Sequence, residues 1–540
     1  MKSQLTFIIA VLTVITSFAQ NGIPKDYLTK EFHKERREAL RSKMEKNSVA
    51  VFFANPVRNR ANDVEYVYHQ DPNFYYLTGY KEPHAVLVIF SENQTNAEGK
   101  TYNEILYVQE RNAAAEQWTG RRLGVKGSQE QLGFEMAFNG RDFKNSGITY
   151  EKFDKVMFNN FQNDYRDSAR DEADLFSLVE IFKTQVNYGE YANNATRERI
   201  YELIKSTNVE NSANVAQTIG RAIETNPELK NDKIINNYVN ASDPKLRLEL
   251  KQQAIAVKPK SNIDTRTLST IMAGLRQIKT EEEMKLLTKA IRISAIGQRE
   301  IMKAMHVNMS EIEIQGVHEF IYKKYGSEYE GYPSIVGAGE NGCVLHYIEN
   351  NKLKVENDLV LMDLGAEYHG YSADVTRTIP ANGKFSEEQK TIYDLVYDAQ
   401  EAGIEAARIG NSFRAPGRAA SKVLTEGLLK LGIIKNANEV RRYFPHGTSH
   451  YLGLDVHDPG LYQDYEANMV ITVEPGIYIP EGSPCDEKWW GIAVRIEDDI
   501  LITENGPVNL SGEAPRKSED IEALMKETSV LDGFKLPKLD

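Results

Sequence analysis

Acidic residues set inside apolar, strand-like runs constrain this chain more than any other feature. Leu359-Val360-Leu361-Met362-Asp363-Leu364-Gly365 puts Asp363 on the same strand face as Leu359 and Leu361. An ionised carboxylate there is costly unless it is paired or bound to metal. Asp374 follows in Tyr371-Ser372-Ala373-Asp374-Val375-Thr376-Arg377, and residues 366–370 between them read as a hairpin turn that brings both Asp side chains together. Glu474 sits in Met469-Val470-Ile471-Thr472-Val473-Glu474-Pro475-Gly476. Glu497 sits in Gly491-Ile492-Ala493-Val494-Arg495-Ile496-Glu497-Asp498. One such residue is ordinarily half of a structural ion pair. Four of them call for a common explanation.

The histidines sharpen that explanation. His446, His450 and His457 fall in Phe444-Pro445-His446-Gly447-Thr448-Ser449-His450-Tyr451-Leu452-Gly453-Leu454-Asp455-Val456-His457-Asp458-Pro459-Gly460, and His346 lies upstream. The run is not the helical HExxH zinc motif, because Gly447 stands where its Glu should be. Four carboxylates and one imidazole form a hard, oxygen-rich donor set. Such a set suits two divalent ions such as Mn²⁺ better than a structural zinc. Two bridging carboxylates would hold the ions ~3.5–4 Å apart, as in two-metal hydrolases.

The ordered set Asp363, Asp374, His450, Glu474, Glu497 resembles the dinuclear site of the pita-bread metallopeptidases, which include methionine aminopeptidase, prolidase and aminopeptidase P. Residues 446–460 resemble the aminopeptidase P and prolidase branch in particular. In the first half, Asp63-Val64-Glu65-Tyr66, Gln70-Asp71-Pro72-Asn73-Phe74-Tyr75-Tyr76-Leu77-Thr78-Gly79-Tyr80 and Glu116-Gln117-Trp118-Thr119-Gly120-Arg121-Arg122-Leu123-Gly124 resemble that branch's N-terminal domain. The likeness covers about residues 31–186 and 265–525 and does not place residues 192–253.

The resemblance implies roles. Asp363 would chelate one ion, Asp374 and Glu497 would bridge two, and His450 and Glu474 would complete the second. The cofactors would be two divalent ions, Mn²⁺ first, with Co²⁺ or Zn²⁺ as alternatives. A bridging water would lose a proton near neutral pH and attack the peptide. Glu474 would act as general base, and His457 and His346 would hydrogen-bond the developing oxyanion. His446 would line the proline side of the pocket, and Arg495 would brace the bridging carboxylates. The leading expectation is therefore an Xaa-Pro aminopeptidase acting on proline-containing peptides. A prolidase, and a non-catalytic peptide-binding relative, are the alternatives. A homo-oligomer, dimer or higher, is expected by analogy with the family.

The expected fold is α+β, with a C-terminal pita-bread catalytic domain at 265–540 behind an α/β N-terminal domain at 24–264. The latter includes a polar helical insertion at about 187–260. Helix starts are legible as capping boxes at Thr280/Glu283, Ser310/Glu313 and Ser386/Gln389. Lys2, the apolar run Leu5 to Ile15 and Ser17-Phe18-Ala19 describe a secretory signal over residues 1–19. The mature protein is thus expected in the periplasm or secreted, with no membrane attachment after cleavage. With 65 basic and 78 acidic side chains, a balance of −13, the chain lacks the basic footprint of a nucleic-acid binder. Its two cysteines, Cys343 and Cys485, exclude a disulfide scaffold, and whether they pair is left open.

Overall fold

The computed structural model describes residues 26–537 apart from 163–165, 169, 258–259 and 535. The expected secretory signal, residues 1–19, lies outside them. The described residues divide into two compact units, 33–271 and 272–537, the second taking in residues 26–32.

The first unit is built on a six-stranded sheet. Its strands are β1 (Ser48–Phe53), β2 (Val86–Thr95), β3 (Thr101–Val108), β4 (Ala137–Asn139), β5 (Lys155–Met157) and β6 (Ile263–Asp264), in the spatial order β4-β3-β2-β1-β5-β6. β1, β2 and β3 pair antiparallel, whereas β4, β5 and β6 join their neighbours in parallel. Successive residues of β1 are buried on both faces, which is why its sequence is continuously apolar rather than alternating. Val49, Val51, Val86, Val88, Phe158 and Phe182 share one core.

Between β5 and β6, after the helix Leu175–Gln185, the described residues form four further α-helices, α1 (Tyr188–Lys205), α2 (Ser212–Thr225), α3 (Lys233–Asn240) and α4 (Pro244–Ala256). This polar segment folds on sparse apolar positions at helical spacing, Ile200 with Ile204 and Ala216 with Ile219 and Ile223. Together with Ile235, Tyr238 and Leu250 they close a separate core.

The second unit is α+β. α5 (Glu281–Ala304), α6 (Glu311–Lys324), α7 (Glu387–Ala406) and α8 (Ala415–Lys430) accompany eleven short strands. These are β7 (Tyr329–Glu330), β8 (Ile335–Ala338), β9 (Leu359–Asp363), β10 (Ala366–Tyr368), β11 (Tyr371–Ser372), β12 (Thr376–Pro380), β13 (Val470–Val473), β14 (Gly476–Ile479), β15 (Ile492–Arg495), β16 (Asp498–Thr503) and β17 (Gly506–Asn509). They form the small sheets β8-β9-β12, β11-β10-β7, β13-β16-β17 and β14-β15, all antiparallel. Thr280/Glu283 and Ser386/Gln389 form full capping boxes. At α6 Ser310 accepts from the Glu313 N–H, without the reciprocal bond. Cys343 and Cys485 are free thiols, and burial pushes Cys343 up to about 12. Among the described residues no helix is long and apolar enough to cross a membrane.

Candidate metal centre

At four points where the chain of the second unit passes directly from one sheet to another, an acidic residue stands at the crossing. Asp363 ends β9 just before β10. Asp374 lies between β11 and β12, Glu474 between β13 and β14, and Glu497 between β15 and β16. By apolar content alone 371–379, 469–479 and 491–502 read as single strands, and the structure breaks each of them. The apolar run continues through each break because both sheets are buried, so hydrophobicity does not mark it. Pro475 marks one break by lacking an N–H. Gly365 serves another, since a Cβ there would collide with the Ala373 carbonyl oxygen. The turn between β10 and β11 tightens to His369-Gly370, both with positive φ.

Backbone groups orphaned at the breaks are satisfied by buried glutamines. Gln298 of α5 donates to the carbonyls of Met362 at 3.1 Å and Val375 at 2.8 Å, next to Asp363 and Asp374 respectively. Gln400 of α7 donates to Val473 O at 3.1 Å, next to Glu474, and to Asp498 Oδ2 at 2.9 Å. Arg377 uses all five N–H donors, on the carbonyls of Thr376, Glu497, Ala514 and Pro515 and on Asp498. Each helix therefore anchors a pair of breaks, and the four carboxylates converge.

At the centre, Tyr332 Oη lies 2.5 Å from both Asp363 Oδ1 and Asp374 Oδ1. One phenolic proton serves only one of them. The other contact requires a proton on the carboxyl or a cation beside it. Arg495 donates to Asp363 Oδ2 at 2.6 Å and to Thr376 Oγ1 at 3.2 Å, and Thr376 donates to Glu497 Oε2 at 2.6 Å. Arg495 thus touches Asp363 directly and Glu497 through Thr376. Asp499, on the same strand face as Glu497, accepts the Asp374 N–H at 3.2 Å. Asp498, on the opposite face, pairs with Arg377 at 2.7 Å.

Charge is badly balanced here. Burial, then the neighbouring Asp363 and Asp499, hold Asp374 well above the usual carboxylate range. Burial, then Asp374, does the same to Glu497. Burial raises Glu474 to about 7 against the pull of His450 and Arg495. For Asp363 burial is outweighed by Arg495 and the Tyr332 hydroxyl, and its carboxyl is held low. One guanidinium cannot neutralise four carboxyl groups, three of them buried.

His450 donates Nδ1–H to the Tyr451 carbonyl at 3.0 Å, which fixes the tautomer and leaves the Nε2 lone pair free. Nε2 points at Asp374 Oδ2, 3.4 Å away, and Glu474 Oε1, 3.8 Å away. Donor atoms of Asp374, His450 and Glu497 all lie within 4.8 Å of one another. These residues suit divalent cations: an oxygen-rich set, an aimed imidazole lone pair and a charge imbalance that cations would relieve.

The set opens into a cavity of about 550 Å³ that Asp363, Asp374, Glu474, Glu497, Arg495 and the four histidines 346, 446, 450 and 457 all line. His446 donates Nδ1–H to Gly447 O at 2.7 Å and accepts from Tyr478 Oη at 2.8 Å, while Arg495 holds Tyr478 at 2.9 Å. Burial, then Arg495, depresses His446 to about 4, so the ring is neutral. His457 packs edge-on against His450 with centroids 4.4 Å apart. Desolvation, then that neighbour, holds its pKa down. His346 is exposed at the cavity rim. Tyr332, Thr376, Tyr478 and Asp499 are absent from the sequence reading. Only Asp499 carries a signal there, as the residue two beyond Glu497.

The sequence matches the models of metallopeptidase family M24 over residues 285–504 and of the aminopeptidase P N-terminal domain over residues 33–150. A Xaa-Pro aminopeptidase of Escherichia coli is 34% identical over 92% of this chain and 98% of its own length. One from Haemophilus influenzae is 33% identical, with the same coverage. Among solved structures, an Escherichia coli aminopeptidase P variant in complex with substrate superposes with a TM-score of 0.72 at 32% identity, covering 92% of this chain and 98% of that one. An aminopeptidase from Pseudomonas aeruginosa does so with a TM-score of 0.71 at 30% identity, again covering 92% and 98%.

Proposed function

The chain belongs to metallopeptidase family M24 as a metallo-aminopeptidase of the Xaa-Pro aminopeptidase group, and on that premise we propose an exported, two-metal enzyme that removes the residue before proline. The observation that carries the proposal is the convergence of three buried carboxyl groups, the half-buried Glu474 and the His450 lone pair at strand breaks, with Arg495 as the cation among them. Asp363, Asp374, His450, Glu474 and Glu497 would hold the ions, and the oxygen-rich donors favour Mn²⁺. When bound, two such ions lower the pKa of an associated water toward neutrality and polarise the scissile carbonyl.

The chain's own groups supply the rest. Glu474 takes up the proton of the attacking water and passes it to the proline nitrogen, a poor leaving group until protonated. His457 and His346, on the cavity lining, donate to the carbonyl oxygen as it becomes an oxyanion. His446, held neutral by burial and the nearby Arg495 charge, forms part of the wall for the proline ring. The segment Lys2 to Ala19 supports export, which N-terminal sequencing of protein recovered outside the cytoplasm would test.

His457→Ala should lower kcat by ~10²–10³ while both metals stay, the usual loss for one oxyanion donor. Loss of metal in that variant would make His457 a ligand instead. The substrate test is hydrolysis of Gly-Pro-Pro, Gly-Pro, Gly-Ala-Ala and N-acetyl-Gly-Pro-Pro with Mn²⁺ present. The scissile bond to proline has no N–H, so a site built for it holds no acceptor awaiting one. An acceptor left unpaired there would cost about 1–3 kcal/mol. Gly-Pro-Pro should be cleaved, Gly-Ala-Ala weakly or not at all, and the acetylated peptide not at all. Efficient cleavage of Gly-Ala-Ala would overturn proline specificity. Cleavage of Gly-Pro alone would make the enzyme a prolidase.

A further inference from the structure

A second hollow, a groove of about 670 Å³, lies against the outer side of the 446–449 loop. His446, Gly447 and Ser449 line both the groove and the metal cavity. Nothing stands within 4 Å of where a Cβ on Gly447 would be, so the ridge between the two hollows is low and open.

The groove is basic. Arg414 at the N-cap of α8 and Arg418 and Lys422 within it recur every fourth residue along one side, and Arg441 lines the groove as well. All four are exposed, and none of them forms an ion pair among the described residues. Glu426 is the lone carboxylate of the lining. In a chain with a net charge of −13, four unneutralised cations around one hollow invert the local field.

The groove is also coupled to the catalytic residues. A Cβ on Gly417, between Arg414 and Arg418, would approach Thr448 Oγ1 to 3.3 Å, so α8 packs closely on the loop. The Thr448 carbonyl accepts the Glu474 N–H at 2.9 Å. Phe444, in the groove, packs edge-on against His446 with centroids 5.0 Å apart.

We propose that this groove receives carboxylates on the part of a peptide substrate beyond its proline, and so selects peptides with acidic downstream residues or a nearby free C-terminus. The proposal rests on the Xaa-Pro reading above. A peptide held with its second residue beside His446 continues over Gly447 onto the Arg418 and Lys422 side chains. These are exposed charges on flexible stems, so their contribution is modest and falls with salt.

The test compares kcat/KM for Gly-Pro-Ala-Ala-amide, Gly-Pro-Glu-Glu-amide and Gly-Pro-Ala-Ala with a free carboxylate. It uses the full chain with Mn²⁺ and the double variant Arg418→Ser, Lys422→Ser. At low salt a carboxylate-bearing peptide should exceed the neutral amide by about three- to tenfold, and the double variant should erase that advantage. A gain with the Glu-Glu amide assigns the groove to acidic side chains, and a gain with the free acid alone assigns it to the C-terminus. Lys422→Glu should shift the preference toward Gly-Pro-Lys-Lys-amide. Equal rates on all three peptides, or an advantage that survives in the double variant, would overturn the proposal. If none of the peptides is cleaved, the Xaa-Pro reading fails instead. Fluorescence anisotropy of labelled Gly-Pro-Glu-Glu-amide then decides the groove, because equal binding by parent and double variant counts against it.

Discussion

Asp374→Asn should abolish turnover and strip metal from a protein that remains folded. Asp374 is buried between β11 and β12, with Oδ1 beside Tyr332 and Oδ2 facing His450 Nε2. A carboxylate can offer an anionic oxygen in each direction. An amide offers one neutral oxygen and one NH₂ group, and the NH₂ must face either the Tyr332 hydroxyl or a metal. Metal affinity should fall by more than the ~10–100-fold seen when a residue that merely supports a ligand is lost. The backbone is spared, since the residue-374 N–H still reaches Asp499 and Gln298 still holds the Val375 carbonyl. Far-UV circular dichroism should therefore match the parent. Metal analysis and turnover together check the result, and parent metal content with parent rate would remove Asp374 from the site.

The metal-free protein should lose stability as pH rises from about 6.5 to 8. Asp374, Glu497 and Asp499 are held well above ordinary carboxyl values by burial first and neighbouring carboxylates second, and Glu474 is raised from 4.5 to about 7. Through that range the folded state keeps protons that the unfolded chain has released. The stability these groups contribute is fully present below the unfolded values and is lost as pH climbs through the folded ones. Asp363, held low, and the histidines His33, His318, His446 and His457, depressed by desolvation, run the other way, but only below about 6.5, where the unfolded histidines are charged. Divalent cations should reverse the trend, because the ligands bind as carboxylates and their affinity rises as protons leave. Calorimetric Tm against pH, in chelator and then in Mn²⁺, checks both halves. A Tm that is flat or rising with pH in chelator would contradict this charge balance.

The carboxylates of the centre are legible in the sequence because charge inside an apolar run has few physical excuses. Asp363, Asp374, Glu474 and Glu497 each stand out for that reason, and Gly447 in place of a glutamate separates the histidine run from a helical zinc motif. What stays hidden is the mechanism of their convergence. The strands break where apolar character is uninterrupted, so 469–479 and 491–502 read as single strands. The residues that hold the breaks are polar groups on distant elements. Gln298 and Gln400 sit mid-helix, where a glutamine is ordinarily a solvated residue. Tyr332 precedes Asp363 by 31 positions, and its hydroxyl reaches both Asp363 and Asp374 only once β8, β9 and β12 are assembled. In the first unit, the strand runs of β1 and β2 are plain in their apolar content. The polar composition of 188–256 conceals a core that rests on a few residues at helical spacing.

The central claim is that two divalent cations, held by these five side chains, drive cleavage before proline. Its most direct measurement is turnover of Gly-Pro-Pro after exhaustive dialysis against chelator, followed by titration with Mn²⁺. Activity should vanish on dialysis and return with saturation at two ions per chain. Undiminished turnover in excess chelator would contradict it.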